Sequence, residues 1–392
     1  MIKEDLLNAQ RYYGSGLLSK KDITGALDHA VALVDENIKK FGETYPSPAT
    51  KNGFYEKMKN IEWTNGFWTG MLWLAYEYTS DEKYRQLADK HVTDFLHRIE
   101  EKIEVDHHDL GFLYIPSCVS AYKLTGNEEA KKASILAADQ LISRYQEKGE
   151  FIQAWGELGA EDNYRLIVDC MLNIPLLYWA SEETGDMTYS DIADKHYQTT
   201  LKTAIRENAS SFHTFYFDPK TGEPLKGVTR QGYSDDSSWA RGQAWIVYGM
   251  ALQYYQTHND YIVEDFKAVT NYLLNRLPED LVPYWDLIFT DGSGQSRDSS
   301  SGAIAVCGMN EMLKYLPESD ELAMTYRYAS HAMLGSLIKN YTYTDLEKEN
   351  GLLTHGVYSW HSGKGVDEAN IWGDYFYMEA LLRFYKDWTL YW

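Results

Sequence analysis

Cysteine is scarce in this chain: three residues in 392, at Cys118, Cys170 and Cys307. Their number is odd and their spacing fits no metal-binding pattern, which excludes a disulfide framework and a zinc ribbon. Each lies in an apolar segment that reads as helical, so buried free thiols in a reducing, cytoplasmic setting are expected. Long apolar runs are also missing. No stretch reaches the roughly 18 residues that a membrane-spanning helix needs. The opening Met1-Ile2-Lys3-Glu4-Asp5 lacks the basic-then-apolar pattern of a signal peptide. Positive charge is short, with 37 Lys and Arg against 58 Asp and Glu, a formal net charge of −21. That balance excludes general binding to nucleic acid or anionic membranes, and any anionic ligand needs a locally basic pocket. There is no Pro/Ser-rich linker, no phosphate-loop or dinucleotide signature and no Gly-x-Ser-x-Gly nucleophile elbow.

Apolar residues make up 44% of the chain and aromatics 15%, with 32 Tyr and 12 Trp, enough for a large core. A weak repeat runs through them. Segments rich in Gly, Trp and Tyr start near Thr64, Asp109, Asp162, Ser238, Ser301 and Glu368. Amphipathic segments with apolar positions three and four apart alternate with them, near Asp22, Asp81, Asn127, Tyr189, Tyr261 and Asp320. Asp22, Asp81, Asn127 and Asp320 are the expected N-caps of those helices. A helix that is apolar around most of its circumference is buried on most sides. Six such helices alternating with six half-exposed ones predict two concentric rings: an all-α fold, the (α/α)6 barrel, as one catalytic domain over residues 1–392. The loops before the inner helices then gather at one mouth. The segment from Ser210 to Ser237 reads as a β-hairpin or extended loop inserted there.

One carboxylate stands where apolar residues belong. Asp169 interrupts the run Leu166-Ile167-Val168-Asp169-Cys170-Met171-Leu172, which has no proline before Pro175 and reads as a buried helix. An ionised carboxylate there is costly unless paired or used. Burial raises its pKa, which suits a group that gives and takes a proton near neutrality. An Asp hydrogen-bonded to a neighbouring helix or to Arg165 is the structural alternative. A second acid, Asp109, precedes Leu110-Gly111-Phe112, where taken alone it reads as an N-cap. His107 and His108 beside it raise the thought of a metal, but no third ligand at diagnostic spacing supports one. Arg241 and Trp245 are one helical turn apart and share a face, an arrangement suited to clamping an anion or a sugar. The segment Tyr358-Ser359-Trp360-His361-Ser362-Gly363-Lys364-Gly365 reads as a surface loop, whose hydroxyls and ammonium can also hold a sulfate or phosphate.

Taken in order, IEWTNGFWTGMLW, DHHDLGF, NYRLIVDCMLN, SSFHTFYF, TRQGYSDDSSWARGQAW and NIWGDYFYMEAL resemble the unsaturated glucuronyl hydrolases of glycoside hydrolase family 88, most closely the streptococcal members. The resemblance covers nearly the whole chain, and that family has an (α/α)6 barrel. It implies that Asp169 is the general acid/base and Asp109 the second essential carboxylate, holding sugar hydroxyls and stabilising developing charge. It places Trp63, Trp155, His213, Gln231, Arg241 and Trp245 at sugar-contacting positions, and Arg230, Ser359, Ser362 and Lys364 at positions that recognise a 6-O-sulfate on the neighbouring amino sugar. The implied substrate is an unsaturated glycosaminoglycan disaccharide left by a lyase acting on hyaluronan or chondroitin. The implied reaction hydrates the C4=C5 double bond of its uronate, with no metal or organic cofactor, in a monomer or homodimer. The carboxylate-separation rule of ordinary glycosidases does not apply to such a reaction. An unsaturated rhamnogalacturonyl hydrolase, a sugar epimerase and a non-catalytic sugar-binding protein remain the rival readings on the same barrel, since fold alone does not decide among them.

Overall fold

The computed structural model describes residues 1–14, 16–345 and 348–392. In chain order its helices are α1 (Gln10–Tyr13), α2 (Lys20–Phe41), α3 (Asn65–Thr79), α4 (Glu82–Glu100), α5 (Leu110–Tyr114), α6 (Ser120–Thr125), α7 (Glu128–Ile142), α8 (Pro175–Thr184), α9 (Thr188–Thr203), α10 (Ala240–Thr257), α11 (Tyr261–Asn275), α12 (Ser299–Met312), α13 (Ala323–Asn340) and α14 (Ile371–Tyr385). A π-helical stretch, Ile115–Val119, joins α5 to α6. The strands are short: β1 (Tyr45–Pro46) with β2 (Lys57–Met58), β3 (Tyr145–Gln146) with β4 (Phe151–Ile152), β5 (Arg165–Ile167) with β6 (Thr214–Phe217) and β7 (Pro224–Val228), and β8 (Gly356–Ser359) with β9 (Lys364–Glu368). All of these pairings are antiparallel.

The helices fall into two kinds for the reason the sequence suggests. α3, α10, α12 and α14 bury nearly every residue. They have no polar face to leave in water, so they must be enclosed. α3 packs on α5 and the π-helical stretch, α5 on α8, α8 on α10, α10 on α12, α12 on α14, and α14 again on α3, closing a circuit. Outside it, α4 packs on α3, α9 on α8, α11 on α10, α13 on α12 and α2 on α14, each through one apolar stripe. One continuous hydrophobic core runs from Tyr12 to Trp392. A small second one, Phe151, Tyr164, Leu166, Ala204 and Phe217, lies under the β5–β6–β7 sheet. Among the described residues no helix is long and apolar enough to cross a membrane. All three cysteines are buried and free.

Two expected caps hold and two move. Asp81 and Asn127 cap α4 and α7 through their side chains. Ser19, not Asp22, is the N-cap of α2, and Asp22 is the third residue of a reciprocal capping box. α13 starts at Ala323, beyond Asp320, which accepts from the Leu322 N–H and pairs with Lys267 at 2.6 Å. The larger departure is at Leu166–Leu172. The run is not an α-helix: β5 ends at Ile167, a 3-10 turn spans Val168–Leu172, and the helix starts only at Pro175. The β-branched Ile167 and Val168 suit an extended entry, and the Val168 N–H is used by the His213 carbonyl at 3.0 Å. The segment after Ser210 does contain the expected hairpin, β6–β7.

Candidate active site

The β5–β6–β7 sheet aims three chain segments at one place. Asp169 lies two residues past the end of β5, His213 immediately precedes β6, and Arg230 and Gln231 follow β7. The 3-10 turn that carries Asp169 meets the start of α5. Asn173 ties the two together: its Oδ1 accepts from the Phe112 N–H at 2.8 Å and its Nδ2 donates to the Asp169 carbonyl at 3.3 Å. Gly111 makes this approach possible, because a Cβ there would stand 2.3 Å from the Asn173 Cα. Asp109 and Asp169 are thereby brought side by side in the lining of a cavity of about 510 Å³.

Glu62, Trp63, Asp109, Trp155, Ile167, Asp169, His213, Arg230, Gln231, Tyr358, Ser359, Ser362 and Lys364 line that cavity. Ten of the twelve residues expected at the site are therefore in one wall. Arg241 and Trp245 stand behind it. Trp245 is buried between Phe112 and Phe376. Arg241 is sandwiched between the rings of Trp239 and Trp372, at 4.5 and 4.9 Å from their centroids. Its guanidinium donates to Asp298 Oδ2 at 2.7 Å, Gln231 Oε1 at 2.9 Å and the carbonyls of Val357 and Tyr358. Arg241 and Trp245 thus form no joint clamp on one helix face, because tertiary partners take each of them separately.

Asp109 occupies the N-cap position of α5, yet its side chain makes no capping hydrogen bond. Nor does Asp169 bond to Arg165, whose guanidinium donates to Asp162 and Asn163. Both carboxyls are held for something else. Burial, and then the charge of Asp169, push the Asp109 carboxyl well above the ordinary range, against hydrogen bonds from Trp155 and Asn173. Burial raises Asp169 to about 7, against the Arg241 charge and the N–H groups of residues 169 and 170 at the start of the 3-10 turn. His108 is wedged between the two acids, its Nε2 3.4 Å from an oxygen of each. Burial holds it neutral, well below its usual pKa. The Asp169 Oδ1 makes no hydrogen bond among the described residues.

The three groups present atoms within 4.8 Å of one another, a set of potential cation donors among the described residues. Two carboxyls that favour their protonated forms and a neutral imidazole read more simply as a proton-handling centre.

The walls are aromatic and braced from behind. Trp63 donates to the Tyr358 hydroxyl at 2.9 Å and stacks on Trp372. Trp155 stacks on His107 at 4.3 Å, and the His107 Nδ1 accepts from the Asp109 N–H. His213 Nδ1 meets Thr214 Oγ1 at 2.7 Å, and its Nε2 makes no hydrogen bond among the described residues. Burial and then the charges of Arg241, Arg230 and Arg165 lower His213 to about 3. It is therefore a neutral hydrogen-bonding group and adds no positive charge. The expected Ser359–Lys364 loop is a β-hairpin in which Ser359 and Lys364 pair across the strands, and Gly363, with φ of +67°, makes its turn. The Lys364 ammonium lies 4.2 Å from the Tyr358 ring centroid. Sequence reasoning missed His108 as a neighbour of both acids, Asn173 as their tie, and Tyr358 and Glu62 in the wall. The Asn173 signal was available, a lone amide at the end of an apolar run.

An acid pair with raised pKa values, in an aromatic cavity with cationic side chains in its wall, equips the site for acid/base catalysis on a ring-bearing, anionic substrate. Three likenesses narrow the class. The unsaturated chondroitin disaccharide hydrolase of Streptococcus agalactiae serotype III (strain NEM316) is 59% identical over 389 residues, covering 99% of this chain and 98% of that one. The crystal structure of the unsaturated glucuronyl hydrolase from Streptococcus agalactiae superposes with a TM-score of 0.99 at 59% identity, over 100% of this chain and 99% of that one. A variant of that hydrolase complexed with dGlcA-GalNAc6S superposes with a TM-score of 0.91 at 55% identity, over 100% and 99%. The profile of Glycosyl Hydrolase Family 88 matches residues 37–340, and the chain belongs to that family.

Proposed function

We propose that this glycosidase removes the unsaturated glucuronic acid from lyase-generated glycosaminoglycan disaccharides, preferring a chondroitin unit with a 6-O-sulfate. The observation that carries the reading is the Asp169 carboxyl in the cavity lining, within 4.8 Å of Asp109 and His108, where burial raises it to about 7. Such a group is protonated often enough to act as an acid and ionised often enough to act as a base. The substrate uronate carries a C4=C5 double bond conjugated with its ring oxygen. Asp169 delivers a proton to C4, and positive charge develops on C5 and the ring oxygen. The resulting carboxylate then takes a proton from water, whose oxygen bonds to C5. The hemiketal opens and the glycosidic bond breaks without further catalysis. Asp109, kept protonated, donates to a sugar hydroxyl. His213 offers Nε2, while Trp63 and Trp155 offer faces for the sugar rings. Arg230, Ser359, Ser362 and Lys364 form the sulfate subsite. We further read the closed circuit of buried helices with its outer partners as an (α/α)6 barrel in a single domain, acting in the cytoplasm.

The test follows loss of ultraviolet absorbance from the conjugated double bond, with unsaturated chondroitin disaccharide carrying or lacking the 6-sulfate. Wild type is expected to consume both, the sulfated one faster, and Asp169→Asn neither. Absence of any absorbance loss with wild type would refute the reading.

A further inference from the structure

Asp298 is fully buried at the N-cap of α12 and belongs to no step above. Its side chain does not cap the helix. One oxygen accepts from Arg241 at 2.7 Å, and the other accepts from the Ser300 hydroxyl at 2.5 Å. Ser300 in turn accepts from Trp372 Nε1 at 3.1 Å, and Trp372 stacks on Trp63. The Arg241 guanidinium reaches Gln231 and the Tyr358 carbonyl. Three pieces of the cavity wall, Gln231, Tyr358 and Trp63, are thus registered on a single ion pair just behind it. A wholly buried pair is a poor source of stability, because desolvating both charges offsets most of their attraction. Its presence here calls for another reason.

We propose that Asp298 is a positioning residue, fixing the Arg241 guanidinium behind the cavity wall and cancelling its charge as felt by the reacting carboxyl. This rests on the reading of Asp169 as the proton donor. Arg241 acts on Asp169 through space and favours its ionised form. With Asp298 ionised, the pair is neutral overall and Asp169 keeps its proton to higher pH. The other charged or titratable groups around Asp169 are Asp109 and His108 beside it, Cys170 next to it in the chain, and Glu62, His213, Arg230, Tyr358 and Lys364 in the same wall. Arg297, next to Asp298 in the chain, is drawn away by Asp280 and Asp291.

The test is the pH profile of kcat/KM. Its alkaline limb reports loss of the Asp169 proton. In Asp298→Asn the uncompensated guanidinium is expected to move that limb down by about one pH unit, the scale on which a neighbouring charge acts. The double variant D298N/R241Q has no charge on either partner, and its limb is expected to return to the wild-type position. Arg241→Gln alone, which leaves Asp298 uncompensated, is expected to move it up. If D298N does not fold, the last two variants carry the test. An unmoved limb in D298N, or in R241Q where D298N is unfolded, overturns the inference, and so does a double variant displaced as far as a single one. Wild type is assayed in parallel, so that failure of the glycosidase reading shows as an inactive parent and not as an unmoved limb.

Discussion

The reacting residue is set by its solvation. Asp169 has an oxygen without a hydrogen bond among the described residues and only 16% of its side chain exposed. Its ionised form lacks the water that stabilises a surface carboxylate, so the proton stays on until about pH 7. Asp169→Asn is expected to lower turnover by about 10²–10⁴, the range for removing a general acid/base. The same shift has a thermodynamic sign. Because the folded pKa is raised above the unfolded value, the stabilising effect of the proton is complete below about pH 4 and is lost as the pH rises through 7. Asp169→Asn lacks that titration. Its unfolding free energy is therefore expected to gain on that of wild type between pH 5 and pH 8, by on the order of a few kcal/mol, with its melting temperature rising relative to wild type in step. Parallel thermal melts across that range check it, and a difference that shrinks with pH would contradict the assigned direction.

At the scale of elements, the site is built where short strands meet helix starts. The β8–β9 hairpin holds Ser359 and Lys364 on one face, so Lys364→Ala is expected to reduce kcat/KM for the 6-sulfated disaccharide by about tenfold or more. That is the magnitude of one hydrogen bond to a charged group. Turnover of the unsulfated disaccharide is expected to be unchanged, and equal losses on both would remove the ammonium from sulfate recognition. Gly111→Ala forces a methyl into the backbone of Asn173. It is expected to cost about 1–3 kcal/mol in denaturant unfolding and to lower activity with both substrates by separating the two acids. The helices were legible because apolar residues three and four apart leave one mark along the chain, as in DEKYRQLADKHVTDFLHRI. The turn carrying Asp169 was not, because a short apolar run has no period to separate helix from strand, and β5 is fixed by pairing with β6 from Thr214 onward. Arg241 shows the same limit. Its helical neighbour Trp245 was visible at four residues' spacing, while its actual partner Asp298 lies 57 positions away.

In the whole molecule, chemistry and anchoring occupy opposite helix ends. The cavity gathers what precedes α5 and α14, whereas the middle of α10 and the far ends of α12 and α14 meet around Arg383. That guanidinium is buried and bonds Glu311 at 2.6 Å, Glu379 at 3.0 Å and the Tyr248 hydroxyl at 2.6 Å. Trp392 adds a 2.8 Å bond to Glu379. Arg383→Met leaves the buried Glu379 without its cation and Glu311 with Lys314 alone, at 3.1 Å, and is expected to cost about 3–5 kcal/mol of stability while leaving KM unchanged in the protein that remains folded. Chemical denaturation together with initial-rate kinetics separates the two effects. The circuit of buried helices closes only where α14 packs on α3, and Tyr55 donates to Asp374 at 2.8 Å across 319 residues. On the ribosome this means that the part of α3 that meets α14 stays uncovered until almost the entire chain has been made, although α4, α5 and the π-helical stretch follow α3 at once and can cover the rest. Contacts of such long range are slow to form, so newly synthesised chains depend on whatever shields that surface during the wait.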